Sequence, residues 1–117
     1  MRPSVKELTG KIRQAREKAS GKQWMAADYR KLAAQFDDLN CYTEEEQNQA
    51  LEAALNEVQP GHYTGPRPPG KSHEEACKEA DMFAFAWESR HFACPMYVKF
   101  AFVRETLFLI SLHKAKW

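Results

Sequence analysis

Cysteine is scarce in this chain: Cys41, Cys77 and Cys94 are the three among 117 residues. An odd, sparse count excludes a disulfide framework that pairs every cysteine, and it fits a reducing, cytoplasmic compartment. Long apolar runs are missing too. None approaches the ~18 residues of a membrane-spanning helix, so no membrane partner is expected. The opening Met-Arg-Pro-Ser-Val-Lys-Glu is charged and has no apolar stretch, so it does not read as a secretory leader. Net charge is nearly absent: 17 Lys and Arg meet 16 Asp and Glu, for a formal +1. Strong nonspecific nucleic-acid binding therefore does not follow from charge alone. Gly-x-Gly-x-x-Gly, Walker and zincin motifs are lacking, and no cofactor or resident metal is expected.

What is present suffices for a core. Hydrophobic residues make up 44% and aromatics 12%. The length suits a single domain, 1–117, and a chain of this size buries roughly two-thirds of its unfolded surface. The small net charge hides a split. Residues 1–31 hold nine Lys and Arg against three acids, whereas residues 37–57 hold seven acids and no base. Solvated helix faces that attract each other across the fold account for this, and a basic arm meeting phosphate or an acidic partner is the functional counterpart.

Residues 1–58 read as helical. Ser4-x-x-Glu7 and Thr43-x-x-Glu46 are capping boxes, in which a hydroxyl and a carboxylate satisfy orphan amides. Helices are expected over 5–19, 24–37 and 44–58, with stripes such as Val5, Leu8, Ile12 and Ala15, or Ala50, Leu51, Ala54 and Leu55. Residues 59–72 contain four of the six prolines and three of the five glycines, which excludes a regular element. A short helix is expected over 73–80. Strands are expected over 81–88, 96–103 and 107–113, from their period-two alternation. The fold class is α+β: N-terminal helices packed on a small C-terminal antiparallel sheet.

Register follows from the pattern. A two-residue turn between the last two strands would oppose Lys99 to Ile110 and Tyr97 to Leu112, mixing polar and core positions. A three-residue connection, Arg104-Glu105-Thr106, opposes Phe100 to Ile110, Val98 to Leu112, Lys99 to Ser111 and Tyr97 to His113. Since a one-residue slip flips every side chain, the pattern selects the second register. It places Phe83, Phe85, Trp87, Val98, Phe100, Phe108, Ile110 and Leu112 against the helices. Tyr97, Lys99, Leu107, Leu109, Ser111 and His113 fall on the other face.

The polar residues of that face suit RNA cleavage by attack of a ribose 2′-hydroxyl. Histidine transfers protons near neutrality, lysine stabilises a phosphorane, and tyrosine stacks on a base or donates a proton. A solvated sheet face with no chemistry is the plain alternative. His73, Cys77, His91 and Cys94 match a tetrahedral zinc set in number, but their spacing fits no zinc-finger pattern, and buried structural cysteines account for them equally. Cys94 with His91 lacks an oxyanion site, which leaves thiol catalysis unsupported.

The stretch Met-Tyr-Val-Lys-Phe-Ala-Phe-Val-Arg-Glu-Thr-Leu-Phe-Leu-Ile-Ser-Leu-His-Lys, with His62-Tyr63 in the preceding loop, resembles the closing hairpin of MqsR-type mRNA interferases. These belong to the RelE-like ribonuclease toxins of bacterial toxin–antitoxin systems. The resemblance covers roughly residues 60–116. The helical N-terminal half is longer than in that family, and the charge is closer to neutral. The resemblance implies a metal-independent ribonuclease acting on mRNA and held by a protein antitoxin. Tyr97 matches the family's catalytic tyrosine, His113 falls at its C-terminal lysine, and Lys71 at its loop lysine. Catalysis is then expected from Tyr97, His113 and Lys99, and RNA binding from Lys71, Arg67, Arg90 and Tyr63. The rival expectation is a non-catalytic interaction module of a phage or mobile element, using the acidic helix 44–57 or the sheet face.

Overall fold

The computed structural model describes residues 2–115. Helix α1 (Val5–Ser20) begins where the Ser4 hydroxyl accepts the Glu7 amide at 3.0 Å. The Glu7 carboxylate accepts from Arg2, so only half of the expected capping box forms. Leu8, Ile12, Ala15 and Ala19 are its buried stripe. Val5 falls outside it and is 71% exposed.

The second expected helix is instead a strand and a helix. β1 (Trp24–Ala26) runs parallel to a strand some 80 residues away in sequence, and α2 (Tyr29–Asp38) starts only at an Asp28 cap. Helical spacing of Met25 with Tyr29, Leu32, Ala33 and Phe36 is the misleading signal, because pairing with a distant strand overrides local periodicity. In α3 (Glu44–Glu57) the Thr43–Glu46 box is complete.

β2 (Met82–Ser89), β3 (Cys94–Val103) and β4 (Thr106–Lys114) match the expected strands closely. The sheet order is β1-β4-β3-β2, antiparallel except for the β1–β4 pair, so the sheet is mixed rather than wholly antiparallel. The helices cover one face. Leu32 and Phe36 of α2, the α1 and α3 stripes, Phe83, Phe85, Trp87, Val98 and Phe100 form one core there. The outer face carries a smaller cluster of Cys77, Ala101, Phe108 and Ile110. Segment 72–80 supplies Cys77 to it and contains one 3-10 turn (Glu75–Cys77) where a helix was expected. Ser72 accounts for the difference: its hydroxyl accepts the Glu74 amide at 3.0 Å instead of capping a longer helix.

The β3–β4 hairpin combines both registers. Val103 pairs with Thr106 across a two-residue turn, and Phe100 pairs with Leu109. Ile110 is then an extra residue, and beyond it Lys99 pairs with Ser111, Val98 with Leu112 and Tyr97 with His113. This bulge corrects the expected faces of β4: Leu107 and Leu109 join Leu112 in the helix-side core, while Phe108 and Ile110 turn outward.

Residues 59–72 strap the outer edge of β2. Tyr63 bridges to Phe85, Lys71 bridges to Asp81, and the Thr64 amide donates to the Ala84 carbonyl at 2.9 Å. No helix among the described residues is long and apolar enough to cross a membrane.

Candidate functional site

The outer sheet face is covered at one end by segment 72–80 and open at the other. At the open end Tyr97 of β3 lies opposite His113 of β4, and their rings stack at 5.0 Å between centroids and 25° between planes. Lys99 follows two residues along the same face, flanked by Ala84 of β2 and Ser111 of β4. Ala86 lies beside Tyr97. These small neighbours leave the phenol, imidazole and ammonium as the tallest groups on a shallow floor. All three are half-buried.

The electrostatics differ at each. Burial, helped by nearby Tyr63, pushes the Tyr97 phenol up, so it stays a proton donor at neutral pH. Burial pushes Lys99 down, and Lys31 adds to the effect, while Glu74 opposes it. Lys31 and Glu74 themselves pair at 3.9 Å. Nothing in the sequence signalled these two neighbours, because one opens α2 and the other lies in the 3-10 segment. The His113 ring sits with Nδ1 2.8 Å from the Lys114 carbonyl oxygen. A carbonyl only accepts, so Nδ1 carries the hydrogen of this bond, and the neutral ring in this tautomer presents its lone pair at Nε2.

The four expected RNA-binding residues are not gathered in one track. Arg67 lies over the Tyr63 ring at 5.1 Å and donates to the Pro3 carbonyl at 2.9 Å, so both brace the strap along β2. The Tyr63 hydroxyl donates to the Pro66 carbonyl. Lys71 is ion-paired with Asp81, which also accepts from Arg2 at 2.9 Å. Arg90 has an exposed side chain in the β2–β3 turn, at the far end of β2. The eight residues of β2 separate it from Asp81, a span of about 30 Å. Of the four, Tyr63 is the one that adds to the upward push on the Tyr97 phenol.

The cysteines and histidines that matched a zinc set in number do not converge. Cys77 is buried against the Ser72 hydroxyl, Cys94 faces the Met96 sulfur, and His91 packs on Phe92. Among the described residues no group of three or more His, Cys, Asp or Glu is placed to hold a metal.

No protein-family model, curated protein or solved structure matches the chain. The resemblance to interferase toxins therefore rests on the C-terminal residues quoted above.

A groove of about 710 Å³ lies away from this face, between β1, α2 and the start of α3. No catalytic or RNA-binding residue was expected there, but the rival expectation of a partner on the acidic helix 44–57 falls on its rim, at Glu44 and Glu45.

Proposed function

We propose that the chain is a metal-independent endoribonuclease that cleaves single-stranded mRNA on the open end of its outer sheet face, as a toxin restrained by a protein antitoxin. The observation that carries this reading is the Tyr97–His113 stack with Lys99 beside it. In this reading His113 Nε2 takes the proton of a ribose 2′-hydroxyl, and the oxygen attacks the adjacent phosphorus. Lys99 stabilises the negative charge that builds on the phosphorane oxygens. The Tyr97 hydroxyl, kept protonated by burial, gives its proton to the departing 5′-oxygen. The products are a 2′,3′-cyclic phosphate and a 5′-hydroxyl. Neighbouring bases stack on the exposed rim of the aromatic pair.

The test is cleavage of an unstructured RNA by the purified full chain in the presence of a metal chelator. Cyclic-phosphate ends are expected. His113→Ala and Tyr97→Phe should each slow cleavage by about 10²–10⁴, with thermal stability close to that of the wild type. RNA left intact at high protein concentration, or cleavage unaffected by both substitutions, overturns the reading.

A further inference from the structure

The two edges of the sheet are treated differently. The β2 edge is strapped by residues 59–72, whereas β1 forms the other edge. In a parallel pair, alternate residues turn both their N–H and C=O toward the partner. The Ala27 amide donates to Leu109 at 2.9 Å, and Met25 pairs with Phe108. That phase turns the N–H and C=O groups of Trp24 and Ala26 outward, away from the sheet. Among the described residues no other segment hydrogen-bonds these groups, and an edge of this kind is a template for another strand.

The groove of about 710 Å³ runs beside that edge. Trp24 and Phe36 form its apolar floor, Tyr29, Tyr42, Glu44 and Glu45 stand at its mouth, and Lys22, the one cation among the lining residues, is outnumbered by the two carboxylates. Tyr29 is 79% and Tyr42 64% exposed, unusual for rings of that size. Glu46 is occupied by its capping box, but Glu44 and Glu45 enter no ion pair among the described residues. Exposed aromatic faces beside free carboxylates suit a Lys or Arg side chain, through cation–π and ionic attraction together. The same carboxylates repel phosphate, which disfavours RNA here.

We propose that β1 and this groove receive an extended, lysine- or arginine-bearing segment of a partner protein. The segment adds as a strand to the outward backbone groups of Trp24 and Ala26. Every second side chain, ~6.6 Å apart, then lies over Tyr29 or Tyr42 with its charge toward Glu44 and Glu45. The site shares no residue with Tyr97, Lys99 and His113, and it stands whether or not the chain cleaves RNA.

The test is fluorescence anisotropy of the full chain with a labelled, end-blocked peptide of about eight alternating Lys and Val residues, at low salt. The control peptide has Glu in place of Lys. The basic peptide should bind and the acidic one should not. Substituting both mouth carboxylates, Glu44→Gln with Glu45→Gln, should weaken binding by about fivefold to tenfold, and high salt should do the same. Ala26→Pro removes an outward N–H but no bond to β4, and should abolish binding. Where circular dichroism shows that Ala26→Pro does not fold, the double glutamine variant decides. No binding of the basic peptide, equal binding of the acidic one, or unchanged affinity in the glutamine variant overturns the proposal. So does a wild-type dimer in sedimentation equilibrium that the glutamine variant dissociates, since a second copy would then occupy the groove.

Discussion

Glu57 ends α3 and reaches across to the β2–β3 turn. Its carboxylate accepts from Ser89 Oγ at 2.6 Å, Trp87 Nε1 at 2.9 Å, and the Arg90 and His91 amides at 3.0 Å. Burial alone would raise its pKa, but the four donors win and bring it down to about 2. Unfolded, the carboxyl titrates near ~4.3. Its stabilisation is therefore complete above about pH 4.5 and fades as the pH falls toward 2. Glu57→Ala leaves the buried Trp87 and Ser89 donors without a partner and should cost about 2–4 kcal/mol in urea unfolding at pH 7. Its loss of stability on acidification should be shallower than that of the wild type. In the sequence Glu57 is one acid in a run of seven, and its partners lie 30 to 34 residues further on, beyond any local pattern. The facing of Tyr97 and His113, by contrast, was legible, because alternation on two strands and one register constraint suffice to oppose them.

At the scale of elements, legibility tracked how local each cause was. The three long strands and the caps at Ser4 and Thr43 are written in adjacent residues. β1 was hidden because three residues carry no periodicity and their partner is β4. The β4 bulge was hidden because two constraints act on one hairpin. The tight turn sets the near half, the core pattern sets the far half, and Ile110 absorbs the difference. Deleting Ile110 should leave a regular ladder that still opposes Tyr97 to His113. The cost should be about 2–4 kcal/mol for the lost buried side chain, with the cross-strand ring contact still visible by NMR. The turn itself holds Arg104 at a φ of 56°, in the left-handed region, where a Cβ costs about 1 kcal/mol. Arg104→Gly should raise stability by about 0.5–1 kcal/mol, read as a higher urea midpoint with an unchanged slope.

Over the whole molecule, the segregated charges do not meet as the sequence suggested. Four ion pairs are present among the described residues, and none involves an acid from 37–57. The two segments are tied by neutral acceptors instead: Trp24 Nε1 donates to Asn48 Oδ1 at 2.6 Å, and the Arg16 guanidinium donates to the Leu55 and Val58 carbonyls at 2.6 and 3.0 Å and closes the C-terminal end of α3. Arg16→Ala should cost about 1–2 kcal/mol, and Arg16→Lys should recover only part of it, since lysine cannot fork to two carbonyls. Of the acids of α3, Glu44 and Glu45 are left to face solvent or a visitor. The strap of residues 59–72 carries a last consequence. Where residues 63–71 lie along Asp81–Phe85 that margin of the sheet is already taken, and β1 offers its pairing groups on the opposite one. Copies that meet through β1 cover each other's free edge and so close at a pair.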